Sequence, residues 1–275
     1  YDGGTPGTLK ASGNRGDNVR HTFDEPNYKW NSAYDLYWKD KHTHIDVYGY
    51  YPFANPESVD SYPFEVKRDQ SKPSENGEMG GYEASDFLWG KVADVAPTTS
   101  VIRLPMKHRM ANARVTLVEG SGFAAGEWAG TEKTVLAPNL IRKASINLAD
   151  GTVTANGSVE ATATMPSRSG NEWRAIVVPQ TVKAGVTLFS ITIGGVPYKF
   201  AKNEAFTYMP GKMSNFSIRV DKKAGSGQYQ LTLISESITP WENDLVSHDA
   251  TAKEYVVVNC PTAGGLQEAI AAAKL

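Results

Sequence analysis

The clearest indication of the fold class lies in residues 186–201, which read Val-Thr-Leu-Phe-Ser-Ile-Thr-Ile-Gly-Gly-Val-Pro-Tyr-Lys-Phe-Ala. Apolar and polar residues largely alternate on both sides of Gly194-Gly195, and β-branched and aromatic side chains dominate. Alternation with a period of two is typical of a half-buried strand, and paired glycines tolerate the positive φ angles of a tight hairpin turn. The stretch therefore predicts a β-hairpin.

The same pattern covers most of the chain from residue 43 onward. A second hairpin is predicted around Asp150-Gly151, and helical periodicity is confined to Ala263–Leu275. Turn residues recur about every 8–12 positions, which is typical of a β-sandwich or barrel and not of βαβ units. The sequence therefore predicts an all-β protein. The expected strands are 43–51, 62–67, 113–119, 144–148, 152–155, 173–178, 186–193, 196–201, 215–220 and 228–238.

Composition excludes several classes of protein. The 275 residues are 40% hydrophobic and 21% charged, which is typical of a folded globular chain. Lys and Arg number 28 against 30 Asp and Glu, so no basic field for nucleic acid is predicted. A single cysteine, Cys260, excludes an intramolecular disulfide and a Cys-rich zinc site. No apolar run approaches the ~18–20 residues that cross a bilayer.

Composition shifts along the chain suggest four regions. Residues 1–20 are rich in glycine and are interpreted as a flexible N-terminal arm, and the start at Tyr1 indicates that a leader has been removed. The polar stretch 165–172 divides an N-terminal β-sandwich, 21–168, from a C-terminal one, 169–247. Residues 248–275 read as a strand and a helix, which we interpret as the start of a further domain. The alternative is that the strand at 255–259 is donated to a neighbouring molecule.

Several short motifs resemble functional sites, but we interpret them as ordinary loops. The glycines of 120–126 lack the following helix that a dinucleotide site requires, so we expect an ordinary loop. Arg15-Gly16-Asp17 spells an adhesion tripeptide, but it lies in a glycine-rich arm where such residues are common. We expect no catalytic, cofactor-binding or metal-binding residues.

Three histidines are candidates for metal ligands or catalysts. His42 and His44 lie two positions apart and would share one face of a strand, yet no third ligand stands at a suitable spacing. His108 lies between Met106 and Met110, so we expect it to be packed and hydrogen-bonded.

The richest group of candidate binding residues is an aromatic segment. We favour the interpretation that these rings fill a sandwich core, because each buries a large apolar area. The alternative is a carbohydrate-binding function, since aromatic rings stack on sugars. Strand alternation predicts that Tyr48 and Tyr50 face the core, while Ile45, Val47 and Gly49 share the opposite face. The aromatic residues are Tyr28, Trp30, Tyr34, Tyr37, Trp38, Tyr48, Tyr50, Tyr51 and Phe53.

Taken together and in order, several stretches resemble the fimbrillin family, the type V pilin-like surface proteins of Bacteroidales. The resemblance runs from about residue 28 to residue 242 and departs from the family pattern at Met106 and Phe216. The matching stretches are the aromatic strand Ile45–Phe53, Ser85–Leu88 followed by Leu104–Ala111 and Ala113–Leu117, Val177–Thr181, Met209–Lys212 before Phe216–Val220, and Ile238–Trp241.

This resemblance implies two consecutive transthyretin-like β-sandwich domains with a short C-terminal strand-helix extension. It implies a non-enzymatic subunit or adhesin of the cell surface, exported as a lipoprotein to the outer membrane, where it forms or joins a fimbrium. The only membrane attachment would be a lipid on a cysteine upstream of Tyr1, and the partners would be other fimbrial subunits or host or bacterial surface ligands. Family members also lose an N-terminal segment by cleavage after a basic residue; Arg15 and Arg20 lie in that region. The alternative function is a carbohydrate-binding surface module that uses the aromatic cluster around Trp30–Tyr51.

Overall fold

The computed structural model describes residues 8–27, 29–160, 163–241 and 255–258. This part of the chain is mostly β, with one short α-helix, α1 (Glu127–Gly130), and two 3-10 helices at Glu25–Asn27 and Glu83–Ser85. None of its helices has the length and apolar character needed to cross a bilayer. The strands are β1 (His21–Asp24), β2 (Lys29–Ser32), β3 (Ile45–Tyr51), β4 (Tyr62–Glu65), β5 (Leu88–Val95), β6 (Ile102–Pro105), β7 (Lys107–His108), β8 (Ala111–Glu119), β9 (Lys133–Ala137), β10 (Lys143–Ile146), β11 (Val153–Ala155), β12 (Ala163–Thr164), β13 (Ser167–Ser169), β14 (Glu172–Val177), β15 (Gln180–Val182), β16 (Thr187–Ile193), β17 (Val196–Ala201), β18 (Phe206–Tyr208), β19 (Lys212–Lys222), β20 (Tyr229–Pro240) and β21 (Tyr255–Val258).

Both predicted hairpins are present. In β16–β17, Ile193 pairs with Val196, and Gly194 and Gly195 adopt φ angles of 55° and 80°. In β10–β11, Ile146 pairs with Val153, and Gly151 adopts a φ of 74°. The connection between β10 and β11 spans residues 147–152, so it is longer than the two-residue turn that Asp-Gly alone suggests.

A two-layer sandwich, here called the second half of the molecule, is built from strands that lie between residues 111 and 240. One sheet has the order β13-β14-β8-β19-β20, the other β12-β9-β16-β17, and one apolar core joins them. Strand β8 occupies the centre of the larger sheet, antiparallel to β14 and parallel to β19. The predicted boundary at 165–172 coincides with the β13–β14 hairpin, and strands from both sides of it share this sheet.

A second pair of sheets, here called the first half of the molecule, is built from strands that lie between residues 45 and 155. The sheets β3-β5-β7 and β11-β10-β4 enclose an apolar cluster that includes Phe64, Phe87 and Ile146. Tyr48 and Tyr50 of β3 pack on this cluster, as predicted, although both remain half-buried. The opposite face of β3 is also covered, because Val47 packs in a further cluster with residues of β6.

A pair of glycines explains how β6 reaches that face. Gly49 of β3 and Gly90 of β5 are direct register partners. A Cβ atom on Gly49 would overlap the side chain of Leu104, and one on Gly90 would overlap the carbonyl oxygen of Pro105. The two missing side chains thus leave a notch in which β6 lies against the backbone of the sheet.

The C-terminal strand pairs with the first half of the chain. Tyr255–Val258 runs antiparallel to β6, with Val256 opposite Leu104. This agrees with the strand predicted at 255–259, whereas Cys260 and the helix predicted at 263–275 lie outside the described residues. Whether residues 248–275 begin a further domain or donate a strand stays a prediction.

A buried glutamine connects the two halves. Gln70 is only 1% exposed. Its side-chain amide pairs with the backbone of Ile176 in β14, as the backbone of a neighbouring strand would. The side-chain oxygen accepts the Ile176 N–H at 2.8 Å, and the side-chain nitrogen donates to the Ile176 carbonyl at 2.7 Å.

Replacing Gln70 with alanine should therefore lower the free energy of unfolding by about 2 kcal/mol, because two buried backbone groups lose their partners. Equilibrium unfolding in urea measures the change, with the exposed Gln230→Ala as the control, for which we expect a change within about 0.5 kcal/mol. Equal effects for the two variants would show that water replaces the glutamine amide.

Candidate functional site

The N-terminal segment, defined as residues 8–20, lies against the first half of the molecule without forming a strand. The guanidinium of Arg15 donates to the carbonyl oxygens of Tyr37 at 2.8 Å and Trp38 at 3.0 Å. Asn18 donates to the carbonyl oxygen of Ala54 at 2.7 Å. Side chains of the segment thus bind backbone carbonyls of the body, which fixes residues 15–18 in place.

The Arg15-Gly16-Asp17 tripeptide is occupied by these local contacts. The Asp17 carboxylate accepts the backbone N–H groups of Gly13 and Asn14, both at 2.8 Å, and these hydrogen bonds lower its pKa. A Cβ atom on Gly16 would lie 2.7 Å from the side chain of Leu36. Both charged side chains therefore serve the fold of the segment, which disfavours recognition through this tripeptide.

A cavity of about 540 Å³ lies between the N-terminal segment and strand β3. The segment forms one wall through Leu9 and Val19, and Leu36 contributes beside it. The glycines of residues 1–20 predict a flexible arm and give no indication of this wall. The isolated apolar residues Leu9 and Val19 are the feature of the sequence that could have indicated a packed segment. The aromatic residues that line the cavity include Trp30, Trp38, Tyr48, Tyr50 and Trp89.

The polar atoms of most of these rings are bonded to the protein. Trp38 Nε1 donates to the Thr98 carbonyl at 3.2 Å, and Trp89 Nε1 donates to the Leu148 carbonyl at 2.7 Å. The Tyr50 hydroxyl donates to the Ala54 carbonyl at 2.7 Å, and burial raises the pKa of Tyr50 to about 12. The rings therefore stay neutral and offer apolar surface to the cavity.

Three further rings of the aromatic segment are exposed. Tyr34, Tyr37 and Phe53, here called the aromatic rim, are 48%, 51% and 41% exposed. All three adjoin the N-terminal segment: Tyr34 donates to the Asp17 carbonyl at 2.9 Å, and the Arg20 guanidinium lies 5.6 Å from the Phe53 ring centre. The predicted cluster thus contains half-buried and exposed rings, and two of the exposed ones, Tyr37 and Phe53, also line the cavity. Tyr28 lies outside the described residues.

His42 and His44 do not share a strand face, which corrects the expectation from their spacing. Strand β3 begins only at Ile45, because the Asp40 carboxylate folds the preceding residues into a turn by accepting the N–H groups of His42 and Thr43. Together with the Thr43 hydroxyl, the strongest contributor, these bonds lower the pKa of Asp40 to about 2. His44 Nδ1 instead lies 2.8 Å from Asp94. Within the described ranges, no group of three or more His, Cys, Asp or Glu residues could hold a metal ion.

His108 is packed and hydrogen-bonded, as predicted. Its Nδ1 lies 2.9 Å from a carboxylate oxygen of Asp86, and its ring stacks on Trp241 with 3.9 Å between the ring centres. Trp241 follows the last strand of the second half, so this contact fixes the end of β20 to the first half.

Comparison with known proteins relates the chain to one family and to several solved structures. A family model described as Fimbrillin-like matches residues 4–241. A crystal structure of a candidate cell adhesion protein from Bacteroides ovatus is similar with a TM-score of 0.56 and 14% identity, over 85% of this chain and 90% of that one. Another from Bacteroides uniformis gives a TM-score of 0.53 and 15% identity, over 73% and 74%. At such identities the two structures show a shared fold. No curated protein sequence matches the chain.

Proposed function

Because the chain belongs to the Fimbrillin-like family, we propose that it serves as a fimbrial or adhesive subunit at the cell surface, without enzymatic activity. The observation that carries this proposal is the family match, which extends over nearly all of the two described halves. The fold shared with two candidate adhesion proteins of Bacteroides supports it.

The finer proposal concerns assembly and location. We propose two transthyretin-like domains with the division 21–168 and 169–247. Strands β8, β9 and β12 of the first range lie in the second sandwich, so the proposed domains would share that sandwich. We propose that a lipid anchor upstream of Tyr1 holds the protein at the outer membrane and that its partners are other fimbrial subunits or surface ligands of host or bacterial cells. The paired sheets of each half support a two-domain architecture.

We propose the aromatic rim as the adhesive contact. Tyr34, Tyr37 and Phe53 are exposed, yet the residues between and behind them are fixed by the hydrogen bonds of Arg15 and Asn18. Rigid tyrosine rings supply a large contact area at little cost in side-chain entropy, and they are frequent among the residues that dominate binding energy.

The triple variant Tyr34→Ser, Tyr37→Ser, Phe53→Ser should reduce adhesion roughly tenfold while leaving the fold unchanged. The measurement is the binding of protein-coated fluorescent beads to epithelial cell layers and to bacterial cells. The control carries Val159→Ser, Met209→Ser and Ile238→Ser, which removes apolar residues of similar exposure elsewhere. Adhesion lost equally in both variants, or in neither, would exclude the rim.

The alternative of a carbohydrate-binding module is supported by the same exposed rings. A glycan array with the full chain and the triple variant tests it. If saccharide-specific binding is lost in the triple variant, the rim recognises a sugar and not a protein. If binding is lost only on Trp38→Ala, the sugar binds in the cavity.

A further inference from the structure

We propose that the cavity beneath the N-terminal segment binds an anionic amphiphile, with a long-chain carboxylate as the simplest example. This inference goes beyond the adhesive role and does not depend on it. It rests on the size of the cavity, on the chemistry of its wall and on the charges along its lining.

The size suits a small organic ligand. Ligand pockets typically enclose about 300–1,000 Å³ and are lined mainly by apolar and aromatic side chains. The present cavity encloses about 540 Å³ and is bounded by Leu9, Val19 and Leu36 on one side and by the rings of β3 on the other.

The wall favours an apolar body over a sugar. A saccharide needs hydrogen-bonding partners for its hydroxyls, because burying an unpaired hydroxyl is costly. The polar atoms of Trp38, Trp89 and Tyr50 are already bonded within the protein. The Tyr48 hydroxyl likewise lies 3.3 Å from the Asp46 carboxylate. These rings therefore offer a ligand their faces, which together with the side chains of Leu9, Val19 and Leu36 form an apolar surface that an acyl chain can cover.

The charges favour an anionic head group. The lining includes the cationic residues Lys10, Arg15 and Lys39. The Arg15 contacts go to two neutral carbonyl oxygens, which do not offset its charge. Of the described residues that line the cavity, Asp46 is the one carboxylate, and it is paired with Lys91 at 3.1 Å. Lys39 also interacts with the neighbouring Asp40 carboxylate, whose pKa it lowers, so Lys10 and Arg15 are the cations that we assign to an anionic head group beside the apolar interior.

The test is a fluorescence titration of the full chain with monomeric 9,10-dibromostearate below its micelle concentration. Bromine quenches tryptophan on contact, and Trp30, Trp38 and Trp89 line the cavity while Trp128 and Trp173 lie in the other core. We expect saturable quenching of about half of the signal, since three of the six tryptophans are within reach.

Two variants locate the ligand. Val19→Phe should fill part of the cavity and abolish quenching, with an unchanged near-ultraviolet circular dichroism spectrum as the check on folding. Lys10→Gln should weaken binding roughly threefold, whereas the exposed control Lys183→Gln should not change it.

A second arm separates a free acyl chain from a membrane surface. Vesicles of anionic phosphatidylglycerol with brominated chains replace the monomeric probe. Quenching by vesicles alone would overturn the cavity as the site, as would quenching that survives Val19→Phe or the absence of any quenching. The absence of quenching would contradict ligand binding in the cavity without changing the result of the bead adhesion experiment. The two proposals can therefore be rejected separately.

Discussion

Replacing Phe87 with alanine is expected to lower the free energy of unfolding by about 3–5 kcal/mol, the usual cost of removing a large buried ring. Phe87 is fully buried in the first half of the molecule. Its ring lies 5.2 Å from that of Phe64, 5.9 Å from that of Tyr62 and 6.1 Å from that of Tyr50. Truncation would leave a cavity lined by three rings that cannot readily collapse.

Equilibrium unfolding in guanidinium chloride measures this loss, and Phe53→Ala provides the matched control. Phe53 has the same side chain but is 41% exposed, so we expect it to cost less than about 1 kcal/mol. A loss of less than about 1.5 kcal/mol for Phe87→Ala would show that the rings around it are not a cooperative core.

Gly90→Val is expected to destabilise the protein by about 3 kcal/mol, at the upper end for overpacked sites. Valine favours strands, so propensity alone would predict a gain at a position inside β5. The sign is reversed because the new side chain would overlap the backbone carbonyl of Pro105, which cannot move without shifting β6. The Met106 sulfur, 3.1 Å from the same position, adds to the conflict.

The control is Gly130→Val, because a Cβ atom on Gly130 meets nothing within 4 Å. We expect a change within about 1 kcal/mol there, measured by the same unfolding experiment. If the two substitutions cost the same, the notch is not required for the packing of β6.

Strand alternation and glycine turns carried most of what the sequence could predict. The β16–β17 hairpin follows directly from Gly194-Gly195, and the packing of Tyr48 and Tyr50 follows from their position in β3. Strand β5 was not predicted, since its residues 88–90 are all buried and show no alternation of apolar and polar side chains. It could not foresee the pairing of β8 with β14 and β19, because register between distant strands leaves no local pattern.

The site was predictable in composition but not in arrangement. The aromatic residues were identified, yet their division into half-buried and exposed rings depends on the backbone of residues 34–38, which the side chain of Arg15 holds. A hydrogen bond from a side chain to a distant carbonyl has no periodicity in the sequence. For the same reason the N-terminal segment was interpreted as an arm and not as a wall.

The parallel pairing of β8 with β19 has a consequence for the order of folding. Ala113 of β8 pairs with Ser214 of β19, about 100 residues later in the chain. Contacts between such distant residues form slowly, because the entropy cost of closing a long loop precedes the stabilisation that the contacts provide. During synthesis, β8 lacks a neighbour on this side until residues 212–222 are available. The second sandwich therefore closes late, and until then the unpaired edge of β8 can pair with another chain, which exposes the nascent protein to aggregation.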